Sequence, residues 1–165
     1  MQGLLSKLPN SYTPKLLYSQ TPKLRTLNPT TMLQQDYIMR LIREFMAALQ
    51  RFLQKKEGED KQEALRDLYR QYLGEYELYH ITTMDETMQS FEQFPVEQRI
   101  HRMEMLAELY YVEADMKSEP TRSELLRRAL MLFRFIDQHS KAYSFDRVEK
   151  MDQIIKELGS SEKPE

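Results

Sequence analysis

The stretch TRSELLRRALMLFRFI, residues 121–136, decides the fold. Leu125, Leu126, Ala129, Leu130, Phe133 and Ile136 recur at three- and four-residue steps, which places them on one face of an α-helix. Thr121 stands just before this run with Glu124 three residues on, the pattern of a capping box. Upstream, residues 96–116 repeat the helical period with Val96, Ile100, Met103, Ala107, Tyr110 and Ala114, widened by Leu106 and Tyr111. Pro95 suits the first turn of that helix. The polar run Lys117-Ser118-Glu119-Pro120 joins the two. Two amphipathic helices across a short connection predict an antiparallel hairpin.

The same period extends outward from this hairpin. Tyr37, Ile38, Leu41, Ile42, Phe45, Leu49, Phe52 and Leu53 predict a first helix over 33–56, which Gly58 ends. Ala64, Leu65, Leu68, Tyr69, Tyr72, Leu73, Tyr76 and Tyr79 predict a second over 60–80, with Gly74 as a weak point inside it. Thr83 and Glu86 form a second capping-box pattern ahead of a short helix over 83–91. Ser144 begins a last helix with Val148, Met151, Ile155 and Leu158 as its seam and Gly159 at its end, leaving 160–165 as a frayed tail. The expectation is an all-α protein of five main helices, or six with the short one, packed as antiparallel helical hairpins.

Composition agrees and removes many functions. Four glycines in 165 residues leave no phosphate-cradling loop or dinucleotide fingerprint. No cysteine means no disulfide, thiolate zinc site or cysteine nucleophile. Three valines and seven isoleucines argue against a large sheet. No run approaches 18 consecutive apolar residues, so no membrane span is expected.

Charge divides the chain. Residues 1–31 carry Lys7, Lys15, Lys23 and Arg25 with no carboxylate, whereas the remainder carries 20 basic and 26 acidic residues. The basic head also holds Pro9, Pro14, Pro22 and Pro29 and the echo Thr13-Pro14-Lys15-Leu16, Thr21-Pro22-Lys23-Leu24. Its basic, hydroxyl-rich composition suits a transit peptide, but the prolines interrupt any amphipathic helix. The favoured reading is a disordered arm, or an extension upstream of a natural start at Met32, with the folded domain over 32–158.

The candidate chemistry is sparse. Glu77 and His80 make one Glu-x-x-His pair of the kind found in di-iron bundles, but neither His101 nor His139 completes a second. Glu97, His101, Glu104 and Glu108 share a helix face, expected to be solvated rather than to hold zinc. No Gly-x-Ser-x-Gly elbow is present. The expectations are therefore no catalytic residue, no metal and no cofactor. Arg99, Arg102, Arg122, Arg127, Arg128 and Arg134 suit phosphate contact, but interleaved carboxylates and the acidic domain point to salt bridges instead. No nucleic acid is expected as a partner.

The tyrosines carry the functional expectation. A tyrosine ring is apolar and its hydroxyl needs a partner, so tyrosines favour half-buried seams and interfaces. Tyr69, Tyr72 and Tyr76 are expected to anchor a protein partner in a helical groove, with Arg127 or Arg128 as charged contacts.

Two resemblances bear on this. Ala129, Phe133 and Ile136 stand at the steps of the second helix of a tetratricopeptide repeat, and Leu106, Ala107 and Tyr110 at those of the first. Gly58–Ala64 resembles the turn of such a repeat, although the connection between residues 116 and 121 makes the match partial. The opening Met32-Leu33-Gln34-Gln35-Asp36-Tyr37-Ile38-Met39-Arg40, with Ser144-Phe145-Asp146-Arg147, is similar to a family of uncharacterised small bacterial proteins that also look tetratricopeptide-like. The resemblance implies a cytoplasmic helical-repeat protein and carries no activity. The expected function is a non-enzymatic interaction or scaffold module. The alternatives are a homo-oligomeric structural protein or a helical metalloprotein.

Overall fold

The computed structural model describes residues 28–56 and 58–161. Among them the chain is all-helical. It runs α1 (Pro29–Leu53), α2 (Glu59–Tyr72), α3 (Leu78–Ile81), α4 (Met84–Ser90), a 3₁₀ turn (Phe91–Gln93), α5 (Val96–Ala114), α6 (Thr121–His139) and α7 (Phe145–Ser161). Of the arm expected over residues 1–31, residues 1–27 lie outside the described residues and 29–31 form the first turn of α1; of the tail expected over 160–165, residues 162–165 lie outside and 160–161 end α7.

The chain divides within α1 into two compact units, one ending at Leu41 and one running from Ile42 onward. In the first, α1 begins earlier than the expected residue 33. Asn28 Oδ1 accepts the Thr30 N–H at 3.0 Å, and Pro29 occupies the first helical position, where a missing N–H costs nothing.

The second unit is built around α5. This helix is buried on nearly every side, with Met105, Leu106, Ala107, Leu109 and Tyr110 all closed to solvent. It packs against α2 and α6, and α6 packs against α7. Residue pairs fix the directions. Gln62 with Lys117 and Tyr72 with Arg102 run α2 antiparallel to α5. Arg122 with Glu157 and Asp137 with Arg147 run α6 antiparallel to α7. Glu104 with Arg147 and Glu108 with Lys150 then set α7 parallel to α5. Leu65, Leu132, Phe133, Ile136 and Ile154 complete the core at 1% exposure or less.

Three further boundaries differ from expectation. The single helix expected over 60–80 is broken in two. Leu73 and Gly74 both donate to the Tyr69 carbonyl, at 2.8 and 2.9 Å, and Gly74 takes φ +144°, which side-chain-bearing residues rarely adopt. The resulting turn brings Tyr76, Tyr79 and His80 back over α2. At α6, Thr121 is the first helical residue and makes no capping bond; the Glu119 carboxylate accepts the Ser123 N–H instead, at 3.2 Å. At the C-terminal end α7 continues through Gly159 to Ser161. By contrast, the Thr83–Glu86 capping box forms in full, and Ser144 Oγ accepts the Arg147 N–H at 3.2 Å.

Candidate functional site

Two polar constructions stand out in the second unit. The first is a buried carboxylate, Glu113, near the end of α5. Its side chain is fully closed to solvent. Tyr69 donates its hydroxyl to Oε2 at 2.8 Å, Tyr76 donates to Oε1, and His80 Nε2 lies 2.9 Å from Oε2. Lys117 Nζ is 3.8 Å from Oε1. The other imidazole nitrogen, Nδ1, faces the Tyr76 carbonyl at 2.7 Å. Burial opposes ionisation of Glu113, but His80 and the two tyrosine hydroxyls outweigh it and hold the carboxyl below its usual range. Both His80 ring nitrogens face oxygen atoms. The Tyr76 ring stacks on His80 at 3.9 Å between centroids, and the Arg66 guanidinium covers its other side at 4.3 Å. Every polar atom here is occupied by another part of the same cluster. The construction joins α2, the following turn and α5, and offers no unpartnered group to a ligand.

The second construction holds α7 against α5. Arg147, with 4% of its side chain exposed, donates to Glu104 at 3.0 Å, to Asp137 at 3.1 Å and to the Ala142 carbonyl at 2.9 Å. One turn on, Lys150 bonds both Glu108 oxygens at 2.9 Å and Asp146 at 2.6 Å. Burial pushes the Glu108 carboxyl up against the pull of Lys150. Despite its own burial, the Lys150 ammonium is held above its usual range by Glu108 and Asp146. The helix face expected to be solvated is therefore partly a docking face: Glu97 is exposed, but His101 and Glu104 are half-buried and Glu108 is buried. Burial lowers the His101 imidazole, with Glu104 opposing.

Beside this ladder lies an open cleft. Two pockets, of about 180 and 300 Å³, share Met46 and Glu108 and so adjoin. The first is bordered by Ile42, Phe45 and Met46 of α1, by His101, Glu104 and Met105 of α5, and by Asp146 of α7. The second continues with Leu49, Gln50 and Leu53 of α1, Tyr111, Val112 and Asp115 of α5, and Lys150 of α7. Residue numbers rise together along all three helices, so α1 and α7 form parallel walls above a floor made by α5. Met46 and Leu53, two turns apart on one wall, are 51% and 50% exposed.

No family model, curated protein or solved structure matches this chain. The reading of the site therefore rests on its geometry.

The residues expected to bind a partner do not line this cleft. Tyr69 and Tyr72 are core residues, at 0% and 3% exposure. Tyr69 faces Glu113, and Tyr72 packs edge-on against Phe45 at 5.2 Å. Tyr76 is half-buried, with its hydroxyl engaged by Glu113. Arg128 turns inward and donates to the Thr82 carbonyl at 2.7 Å and to Glu124 at 3.3 Å. Arg127 is exposed on α6. The tyrosine stripe is a folding feature because the break at Gly74 curls its second half onto α5.

Among the described residues no group of three or more His, Asp or Glu is arranged to hold a metal ion, and no helix is long and apolar enough to cross a membrane. Glu77 and His80, paired in the sequence, part company in the structure: Glu77 meets Arg66 at 2.5 Å and His80 meets Glu113. Glu113 was not among the expected site residues, although its spacing carries a signal. It lies three residues beyond Tyr110 and seven beyond Leu106, inside the apolar stripe of α5, and a carboxylate at a core position must find partners.

Proposed function

We propose that this protein is a non-enzymatic interaction or scaffold module that takes a segment of a protein partner into the cleft between α1 and α7. The observation that carries the reading is the cleft itself, a half-open, largely apolar depression across α5 with half-exposed Met46 and Leu53 on its wall. Methionine is unbranched and polarizable, so its side chain adapts to the shape of what it meets. Binding surfaces of helical proteins are built from such depressions between helices. The α5–α6 hairpin and the spacing of Ala129, Phe133 and Ile136 support a tetratricopeptide-like reading of the fold. The bacterial cytosol is the setting that the resemblance of its opening implies.

The test uses the full chain as bait in extract of its native cells, beside a Met46→Asp variant and a Tyr143→Asp variant. Tyr143 is 76% exposed on the α6–α7 connection, outside the cleft. A partner of the cleft is retained by the unchanged chain and by Tyr143→Asp and is lost with Met46→Asp. Equal retention by all three, or none by any, contradicts the proposal.

A further inference from the structure

We infer that the cleft of one copy of this protein takes the first half of α1, Pro29–Leu41, from a second copy. The inference rests on the proposed function and names the partner as the chain itself.

The first half of α1 is a helix without a cover. Met32 is 52% exposed, Leu33 70%, Tyr37 43% and Met39 51%. At about 100° per residue, Met32 and Met39 lie on one flank and Leu33 and Tyr37 on another, with Asp36 and Arg40 between them. A helix on the surface of a soluble domain shows one apolar stripe. Two apolar flanks with a polar strip between them suit a helix seated between two walls, its polar strip in water. The cleft supplies two such walls, α1 from Ile42 onward and α7. The lengths agree: Pro29 to Leu41 spans about 18 Å and Ile42 to Leu53 about 16 Å, at 1.5 Å per residue. One aspartate and one arginine leave the segment neutral, so the acidic domain does not repel it.

The order of residues along α1 sets the direction. Met32, Met39, Met46 and Leu53 follow one another at seven-residue steps, at 52, 51, 51 and 50% exposure. Gln35, Ile42 and Leu49 stand three residues after the first three. Together they occupy the a and d positions of a coiled-coil seam. Antiparallel pairing of two such seams opposes each a position to a d position. With Met39 opposite Ile42 of the second copy, Met32 meets Leu49 and Met46 meets Gln35. That register sets Asp36 against Arg43 of the second copy. Both are exposed, and among the described residues neither meets an opposite charge in its own chain. A parallel pair would set both against uncharged residues, Thr31, Ile38 or Phe45. Each chain carries both the cleft and the segment, so the exchange is reciprocal, closes on two copies and makes every contact twice.

The test is light scattering of the full chain at a series of concentrations. The unchanged chain should pass from monomer to dimer as its concentration rises. Leu33→Asp on the segment and Met46→Asp on the wall, both at exposed positions, should each weaken the dimer by about tenfold or more. Asp36→Arg and Arg43→Asp, which each bring like charges together twice, should also weaken it by about tenfold. The double variant carrying both changes should restore it. The chain has no cysteine, so disulfide trapping reports the register directly. Under oxidation, Asp36→Cys mixed with Arg43→Cys should give a covalent heterodimer, and Asp36→Cys mixed with Met131→Cys should not.

A chain that stays monomeric at every concentration overturns the inference and leaves the cleft to the bait experiment. A dimer insensitive to Met46→Asp pairs through another surface and overturns it too. A dimer lost in Met46→Asp, but neither restored by the exchanged charges nor trapped by the paired cysteines, places some other part of the second copy in the cleft and equally overturns it.

Discussion

Replacing Glu113 with alanine is expected to destabilise the folded chain by about 3–5 kcal/mol, the summed cost of stranding its hydrogen-bonding partners at about 1–3 kcal/mol each. The change leaves the buried Tyr69 hydroxyl, the Tyr76 hydroxyl and His80 Nε2 without their common acceptor. Urea denaturation at neutral pH gives the value. The double variant Glu113→Ala with Tyr69→Phe should lose less than the two single losses added together, because one stranded donor disappears. Glu113→Gln preserves volume and one acceptor and should cost less than alanine.

The same residue sets part of the pH dependence. The Glu113 carboxyl is held below its usual range in the folded chain. Folding is therefore favoured by the ionised form above the unfolded value, about 4.3, and that stabilisation disappears as pH falls through the folded value. Glu108 acts in the opposite sense, since burial raises its carboxyl and folding favours its protonated form. The Glu113→Gln variant should consequently lose less stability on acidification than the unchanged chain. A loss equal to that of the unchanged chain means that Glu113 does not set the acid limb.

Arg147→Met is expected to cost about 2–3 kcal/mol, through its charge-assisted bonds to Glu104 and Asp137 and its bond to the Ala142 carbonyl. The cost is smaller than for Glu113 because Glu104 and Asp137 are 37% and 39% exposed and regain water. Its location distinguishes it. Arg147 anchors the start of α7 to α5 and α6, so amide exchange should accelerate along α7 while α5 keeps its protection. Uniform acceleration in every helix means instead that α7 is not a separable element.

The contrast between these two residues shows what the sequence carried. The helices were legible because Leu125, Ala129, Phe133 and their counterparts keep a period that only a helix satisfies. The chain's all-helical class followed from that period and from a composition poor in β-branched residues. What escaped was the sense of each polar residue. Gly74 reads as a flaw within a helix, yet the backbone uses its positive φ to end α2 and fold Tyr76 and His80 back. A stripe of tyrosines at helical spacing has the same pattern whether it faces a groove or a core, and only the position of that break decides. Glu104 and Glu108 look solvated on α5 until α7 brings Arg147 and Lys150 across from more than 40 residues away. Spacing along one helix carries no information about such a partner. The cleft has no sequence signature for a related reason: it is the stripe of α5 left between α1 and α7, and its existence depends on how three helices are arranged.

The account turns on that cleft, and its methionines report on it directly. In the full chain carrying ¹³C-labelled methionine methyl groups, addition of a partner retained in the bait experiment should shift the signals of Met46 on the wall and Met105 on the floor. Met131, 52% exposed on α6 and outside the cleft, should stay in place. Shifts at Met131 as large as those at Met46, or no shift at Met46 with saturating partner, would contradict the cleft as the binding site.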